Sequence, residues 1–176
     1  FISAGFAYNF QDSIMDISNI KNTNWNQTRI GILGAGKSGI AAAKLGKHAG
    51  ADIFISDSNH TPEISKKLAQ FNFESGGHTA KVLESDLLVI SPGISDQTPI
   101  VNKSREKHIP VVSEIEFASW FTVSPILALT GSNGKTTTVN LLHEMCLSAG
   151  KNSLLGGNVG IPFSENVLWE INSNLS

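Results

Sequence analysis

From Arg29 to Trp120 short apolar runs alternate with longer amphipathic ones. The runs RIGILG (29–34), ADIFISD (51–57), SDLLVISPG (85–93) and IPVVS (109–113) have apolar stretches only a few residues long, bounded by Gly, Pro, Asp or Ser. That length and those borders predict buried strands rather than buried helices. Between them SGIAAAKLGKHAG, PEISKKLAQF, PIVNKSREKH and EIEFASW carry helical patterning. Strand and helix in strict alternation predict βαβ units and a parallel sheet. Further on, PILALT (125–130) reads as a strand, Thr136 to Ala149 as a helix, Ser153 to Leu155 as a short strand and Pro162 to Trp169 as a helix. Six strands are expected in all. In the helix from Thr136, residues Val139, Leu142, Cys146 and Ala149 fall on one stripe, expected to face a core.

The first 28 residues are rich in Asn, Asp, Ser and Gln and lack periodicity. They are expected to form a flexible leader, with Met15 as an internal candidate start. FTVS (121–124) reads as a hinge. The expected organisation is therefore a leader at 1–28, an α/β domain with a Rossmann-like parallel sheet at 29–121, and the truncated start of a P-loop ATPase α/β domain at 122–176.

Composition narrows the classes. The chain has 176 residues, 13 basic and 15 acidic, for a formal charge of −2. A near-neutral balance offers no global basic footprint for nucleic acid or an anionic membrane, and no apolar run reaches the roughly 18 residues of a membrane span. The single cysteine, Cys146, fits a reducing cytoplasm and, on its stripe, packing rather than nucleophilic chemistry.

Two glycine-rich loops carry the chemistry. Gly34-Ala35-Gly36-Lys37-Ser38-Gly39 is a G-x-G-x-x-G after a strand and before a helix, where glycines permit a tight turn and the helix amides and dipole favour a diphosphate. Asp57 ends the next strand, where a carboxylate receives a ribose hydroxyl or another ligand donor. The second loop, Gly131-Ser132-Asn133-Gly134-Lys135-Thr136-Thr137, follows PILALT. It offers backbone donors to phosphates, an ammonium at Lys135 for the β/γ-phosphates and a hydroxyl at Thr136 for Mg²⁺. Leu129 stands where the full P-loop pattern has its first glycine. Two further loops, Ser91-Pro92-Gly93-Ile94 and Gly156-Gly157-Asn158-Val159-Gly160, follow predicted strands, at the end where parallel sheets bind ligands.

The order GILGAGKSG, ISD, ISPGI, IPVVSEIEF, LTGSNGKTTT, GGNVG resembles the Mur ligase family over Arg29 to about Pro162. The resemblance implies a UDP-binding Rossmann-like domain, a central ATPase domain and a C-terminal domain that brings the amino acid. It implies an ATP-dependent ligase that adds D-glutamate to UDP-N-acetylmuramoyl-L-alanine through an acyl phosphate, in peptidoglycan precursor synthesis. By the same resemblance Gly36, Lys37 and Ser38 contact the UDP diphosphate, Asp57 and Ser58 face the uracil, Gly93 admits the sugar-nucleotide and Asn158 binds substrate near the reacting centre. Gly131 to Thr137 bind ATP, with Lys135 and Thr136 as the catalytic pair and Thr136 as the Mg²⁺ ligand. Asn59 stands where such proteins often carry a basic residue. The chain stops at Ser176, before the family's acidic and histidine ligands for a second Mg²⁺, its modified lysine and its C-terminal domain. A fragment without ligase turnover is the expectation.

The five histidines show no metal-ligand spacing and are expected at the surface or at helix ends. Glu114 and Glu116 point differently on a helix and are expected to cap it. Two alternatives stay open: another Mur or folylpolyglutamate-type ligase, and a non-catalytic module that senses a dinucleotide and ATP.

Overall fold

The computed structural model describes residues 23–157 and 160–173. Five strands form one parallel sheet: β1 (Arg29–Leu33), β2 (Asp52–Asp57), β3 (Asn72–Ser75), β4 (Leu87–Ile90) and β5 (Val111–Ser113), in the order β3-β2-β1-β4-β5. Ile30 pairs with Ile53 on one side and Leu87 on the other, so β1 sits at the centre. The order reverses between β1 and β4, and ligands of open parallel sheets bind in the crevice at that switch point.

Helices cover both faces because the central strands are apolar on both. On one face Ile30, Ile32, Ile53, Ile55 and Val89 pack with Ala42, Ala43 and Leu45 of α1 (Lys37–His48) and Leu68 of α2 (Pro62–Leu68). Phe117 of α4 (Glu114–Ser119) and Val167 of α6 (Phe163–Asn172) complete that layer. On the other face Leu33, Phe54 and Leu88 meet Ile100 and Val101 of α3 (Pro99–Glu106) and Val82 of a 3-10 turn at Ala80–Glu84. Each fully buried Ile, Leu or Phe contributes about 1.5–3 kcal/mol relative to exposure.

Local chemistry sets the ends. Thr61 Oγ1 accepts from Ile64 N at 3.2 Å with Pro62 in the first turn of α2, and Ser113 Oγ accepts from Glu116 N at 3.1 Å to cap α4. Each is a side-chain N-cap that satisfies an orphan amide.

Several expectations change. β3 at Asn72–Ser75, expected as no strand, has one apolar residue, Phe73, which packs against the core, and it pairs with β2, Ile55 against Phe73. PILALT forms no strand. Ile126, Leu127 and Leu129 are exposed, and an extended run without a neighbouring strand has nothing to ladder with. Residues 153–155 are not a strand either; an isolated bridge, Gly156 to Ile161, follows them. The described residues thus hold five strands rather than six.

The helix after the second glycine loop, α5 (Lys135–Ser148), forms where expected, and Val139, Leu142 and Cys146 are its less exposed side. None of its residues is buried, Ala149 is exposed, and Leu141, Met145 and Leu147 face solvent. The last residues of the expected leader are part of the fold: Trp25 lies in a 3-10 turn (Trp25–Gln27), stacked on Trp120 and against Phe117 and Phe121. Residues 1–22 of the leader, including Met15, lie outside the described residues.

Candidate nucleotide-binding edge

The carboxyl ends of β1, β2 and β4 bring Gly36-Lys37-Ser38, Asp57-Ser58 and Gly93 to one edge of the sheet. Gly34 turns the chain there with φ +92°, and α1 starts at Lys37. The three glycines of this loop do different work. A Cβ at Gly36 would meet nothing within 4 Å, so that position leaves open space for a ligand. A Cβ at Gly39 would overlap the Gly34 carbonyl oxygen and lie 2.8 Å from Ser91 Oγ. Gly39 is therefore required for helix–strand contact. The N-cap of α1, Gly36, has no side-chain bond to the first amides, which leaves them for an anion.

Asp57 is buried, as its position at the end of a central strand dictates. Its Oδ2 accepts from Ala35 N at 2.5 Å and its Oδ1 from Asn59 N at 2.7 Å. The carboxylate thus ties the glycine loop to the end of β2. Each oxygen has a further lone pair for an incoming donor. Ser58 and Lys37 are exposed and Ser38 half-buried. Gly93 is exposed with no neighbour within 4 Å of a built Cβ.

Ser91 had no individual role in the sequence pattern. It is buried, its Oγ donates to Gly34 O at 3.2 Å, and its N–H donates to Leu33 O at 3.0 Å, closing the switch point from the β4 side. Its neighbours in the motif gave the available signal. A groove of about 420 Å³ also runs along α1, lined by Gly36, Lys37, Ile40, Lys44, Lys67 and Glu165 among others. Lys44, Lys67 and Glu165 come from three helices, so their convergence is invisible to spacing along the chain.

Behind the edge, buried Ser56 links β2 to the turn after β3. Its Oγ lies 2.7 Å from Glu74 Oε1 and 2.7 Å from His78 Nδ1, and Glu74 also accepts from Thr79 N and Oγ1. Burial pushes the Glu74 carboxyl up, but the hydrogen bonds from Thr79 and Ser56 outweigh it and hold it below the ordinary glutamate range. Burial raises the Glu116 carboxyl, against a smaller opposing hydrogen bond that its carboxylate accepts from the Ser113 backbone amide. Glu116, at the third position of α4, accepts from the Ser113 amide while Ser113 Oγ accepts from Glu116 N, the reciprocal pairing of a capping box. Glu114 bonds to a different helix from the one expected, accepting from Ser164 N of α6 at 2.6 Å. Three histidines bond to serines, His60 to Ser75, His78 to Ser56 and His143 to Ser153. Among the described residues no cluster of His, Cys, Asp and Glu could hold a metal ion.

The second glycine loop is exposed throughout Gly131 to Thr137. Gly131 and Gly134 have φ +142° and +76°, and a Cβ at either would meet nothing within 4 Å. The loop opens α5 with no side-chain cap. Lys135 Nζ folds back to donate to the carbonyl oxygens of Gly131 and Ser132. The Lys135 ammonium thus lies over the loop carbonyls beside the uncapped amides of α5, with Thr136 exposed as the next residue. Asn158 lies outside the described residues. Among the described residues no helix is long and apolar enough to cross a membrane.

Comparison with known proteins agrees in family. Residues 28–113 match the model of the Mur ligase MurD-like N-terminal domain. The UDP-N-acetylmuramoylalanine–D-glutamate ligase of Chlorobaculum tepidum is 45% identical over 143 residues, covering 77% of this chain and 31% of that protein. The ligase of the same name from Christiangramia forsetii is 43% identical over 147 residues, covering 81% and 33%. The chain thus spans about a third of the length of these curated relatives. Among solved structures, a murein peptide ligase from Psychrobacter arcticus matches with a TM-score of 0.49 and 26% identity, over 70% of this chain and 27% of that one. Residues 28–113 thus carry the Mur ligase MurD-like N-terminal domain, and similarity to the D-glutamate ligases extends over about four fifths of the chain.

Proposed function

We propose that the chain is the nucleotide-binding front of an ATP-dependent ligase that joins D-glutamate to UDP-N-acetylmuramoyl-L-alanine in peptidoglycan precursor synthesis. The observation that carries this reading is the convergence of Gly36–Ser38, Asp57–Ser58 and Gly93 on one sheet edge, in a chain 45% identical to a ligase of that name. We assign residues 29–121 to the UDP-sugar domain and 122–176 to the start of the ATPase domain. The D-glutamate site, and a second metal site, belong in this reading to further polypeptide. ATP and the nucleotide substrate place the enzyme in the cytoplasm.

In the reaction the alanyl carboxylate oxygen attacks the γ-phosphorus of ATP, the bond to the β-phosphate oxygen breaks, and ADP leaves. The D-glutamate amine then attacks the acyl phosphate carbonyl, and inorganic phosphate departs from the tetrahedral intermediate as the amide forms. Mg²⁺ held through Thr136 supplies charge neutralisation on the phosphates. The chain's own residues bind and orient. Amides at the start of α1, with Lys37 and Ser38, take the UDP diphosphate. The remaining lone pairs of Asp57 accept the uracil imide N–H beside Ser58, and Gly93 leaves room for the sugar. Asn158 contacts the substrate near its reacting end. Gly131 to Thr137 cradle ATP, with Lys135 stabilising charge on the transferring phosphoryl group in preference to the ground state.

Calorimetric titration of the chain tests the reading. UDP-N-acetylmuramoyl-L-alanine is expected to bind and NAD to give no heat; binding of NAD alone would reject the ligase and favour a dinucleotide module.

A further inference from the structure

Glu114 is the most deeply buried charged side chain among the described residues, 1% exposed. It opens α4 directly after β5, yet α4 is already capped by Ser113. Its Oε1 accepts instead from Ser164 N, in the first turn of α6 and 50 residues downstream. The N-cap of α6 is Pro162, which makes no side-chain cap. The cap missing in α6 is therefore supplied from the sheet unit. A buried carboxylate needs compensation, and this one has it: it lies at the N-terminal ends of two helices, each the positive end of a dipole.

What α6 carries gives the contact its meaning. Asn166, itself buried, donates from Nδ2 to Leu155 O at 2.8 Å, and Gly157 N donates to Ile161 O at 3.1 Å beside the Gly156 to Ile161 bridge. A Cβ at Gly156 would lie 2.7 Å from Asn166 Nδ2 and 3.3 Å from Phe163 Cα, so the stem packs on α6 too closely for a side chain there. On the other side Glu165, the residue after Ser164, lines the groove with Gly36, Lys37 and Lys44. The buried bond thus joins the end of β5 to the first turn of the helix that contacts both the stem of a glycine-rich turn and a wall beside the first glycine loop.

We propose that Glu114 is a positioning residue whose carboxylate locks the first turn of α6, and with it the Gly156 to Ile161 stem, in register with the nucleotide-binding edge. The ligand consequence rests on the UDP-sugar reading above.

The test uses the whole chain, with UDP and UDP-N-acetylmuramoyl-L-alanine as separate probes. Glu114→Ala is expected to leave the UDP Kd within about twofold, weaken the full nucleotide at least tenfold, and speed amide exchange over 163–167 at least tenfold while α1 stays protected. Unchanged affinities for both probes, or equal loss of both, would overturn the proposal. So would unchanged exchange over 163–167, a readout that stands even if the unaltered chain binds neither probe and the functional reading fails. Glu114→Ala combined with Pro162→Ser gives α6 a cap of its own. It is expected to recover exchange protection without recovering the full nucleotide's affinity; recovery of both would reduce Glu114 to a simple cap and sink the positioning role.

Discussion

Gly39→Ala adds one methyl group at the tightest point of the nucleotide-binding edge. The new Cβ would overlap the Gly34 carbonyl oxygen and stand 2.8 Å from Ser91 Oγ. Overpacking ordinarily costs about 1–3 kcal/mol, and here the obstacle is backbone, so the cost sits at the upper end, about 3 kcal/mol. Replacing glycine by alanine within a helix returns about 1 kcal/mol. The net loss is about 2 kcal/mol, which at about 4 °C per kcal/mol for a unit of this size lowers Tm by about 8 °C. Gly36→Ala is the matched control, because nothing lies within 4 Å of its Cβ and its φ is −70°. Its stability change is expected within about 1 kcal/mol, the cost of alanine rather than glycine at an N-cap. The methyl instead fills space assigned to the diphosphate, so UDP affinity is expected to fall at least tenfold. Thermal denaturation followed by circular dichroism, with UDP calorimetry on each variant, separates the two effects. A Gly39→Ala chain that melts within 1 °C of the unaltered one, or a Gly36→Ala chain that binds UDP normally, would refute the division between a packing glycine and a ligand glycine.

Lys135→Ala should weaken ATP binding at least tenfold by calorimetry with UDP affinity unchanged; equal loss at both would argue against two separate sites. Glu74, held below the ordinary range, contributes stability that is present above its unfolded value of about 4.3 and is lost as pH falls through its lower folded value. In Glu74→Gln that acid limb of a pH–Tm curve should flatten, and an unchanged limb would count against the Ser56–Glu74–Thr79 network as its source. Glu116 has the opposite sign: raised by burial, it opposes stability once pH rises past the ordinary glutamate value. Glu116→Gln should therefore raise Tm at pH 7 and lose that advantage at pH 3, and a variant less stable at neutral pH would contradict the shift.

The sheet was legible wherever strand signal and burial coincided. RIGIL, DIFISD, LLVI and VVS are apolar because the sheet buries both faces, and each emerged as a strand. NFES was not legible, because Phe73 is its one apolar residue; the strand is held at the sheet edge by backbone pairing with β2, by Phe73 against the core and by the Ser56–Glu74 bond. PILALT failed in the opposite way. It has the composition of a buried strand but no neighbour, and β-propensity expresses fit to a neighbouring pleated surface rather than an intrinsic backbone preference. Both glycine loops were legible from spacing, since tight turns and uncapped helix starts depend on adjacent residues. Ser91, Glu114 and the Lys44–Lys67–Glu165 groove were not, because each acts through a residue tens of positions away.

Asp57 shows how the fold adds chemistry that a sequence motif does not carry. The fingerprint treats the loop amides as donors to the anion and the acid as a free acceptor. In the fold the Ala35 amide is already spent on Asp57 Oδ2, and Asn59 N occupies Oδ1. In the proposed reading a diphosphate is therefore left with the amides at the start of α1, beyond Gly36, rather than with the whole glycine loop. The acid keeps acceptor capacity only on its outer lone pairs, so it selects a ligand that donates from above the strand ends. A ligand group that only accepts hydrogen bonds meets a carboxylate with no proton to give. Asp57 fixes the loop, and in the proposed reading the same two oxygens would set the polarity of what lies against it, so a substitution there would disturb both.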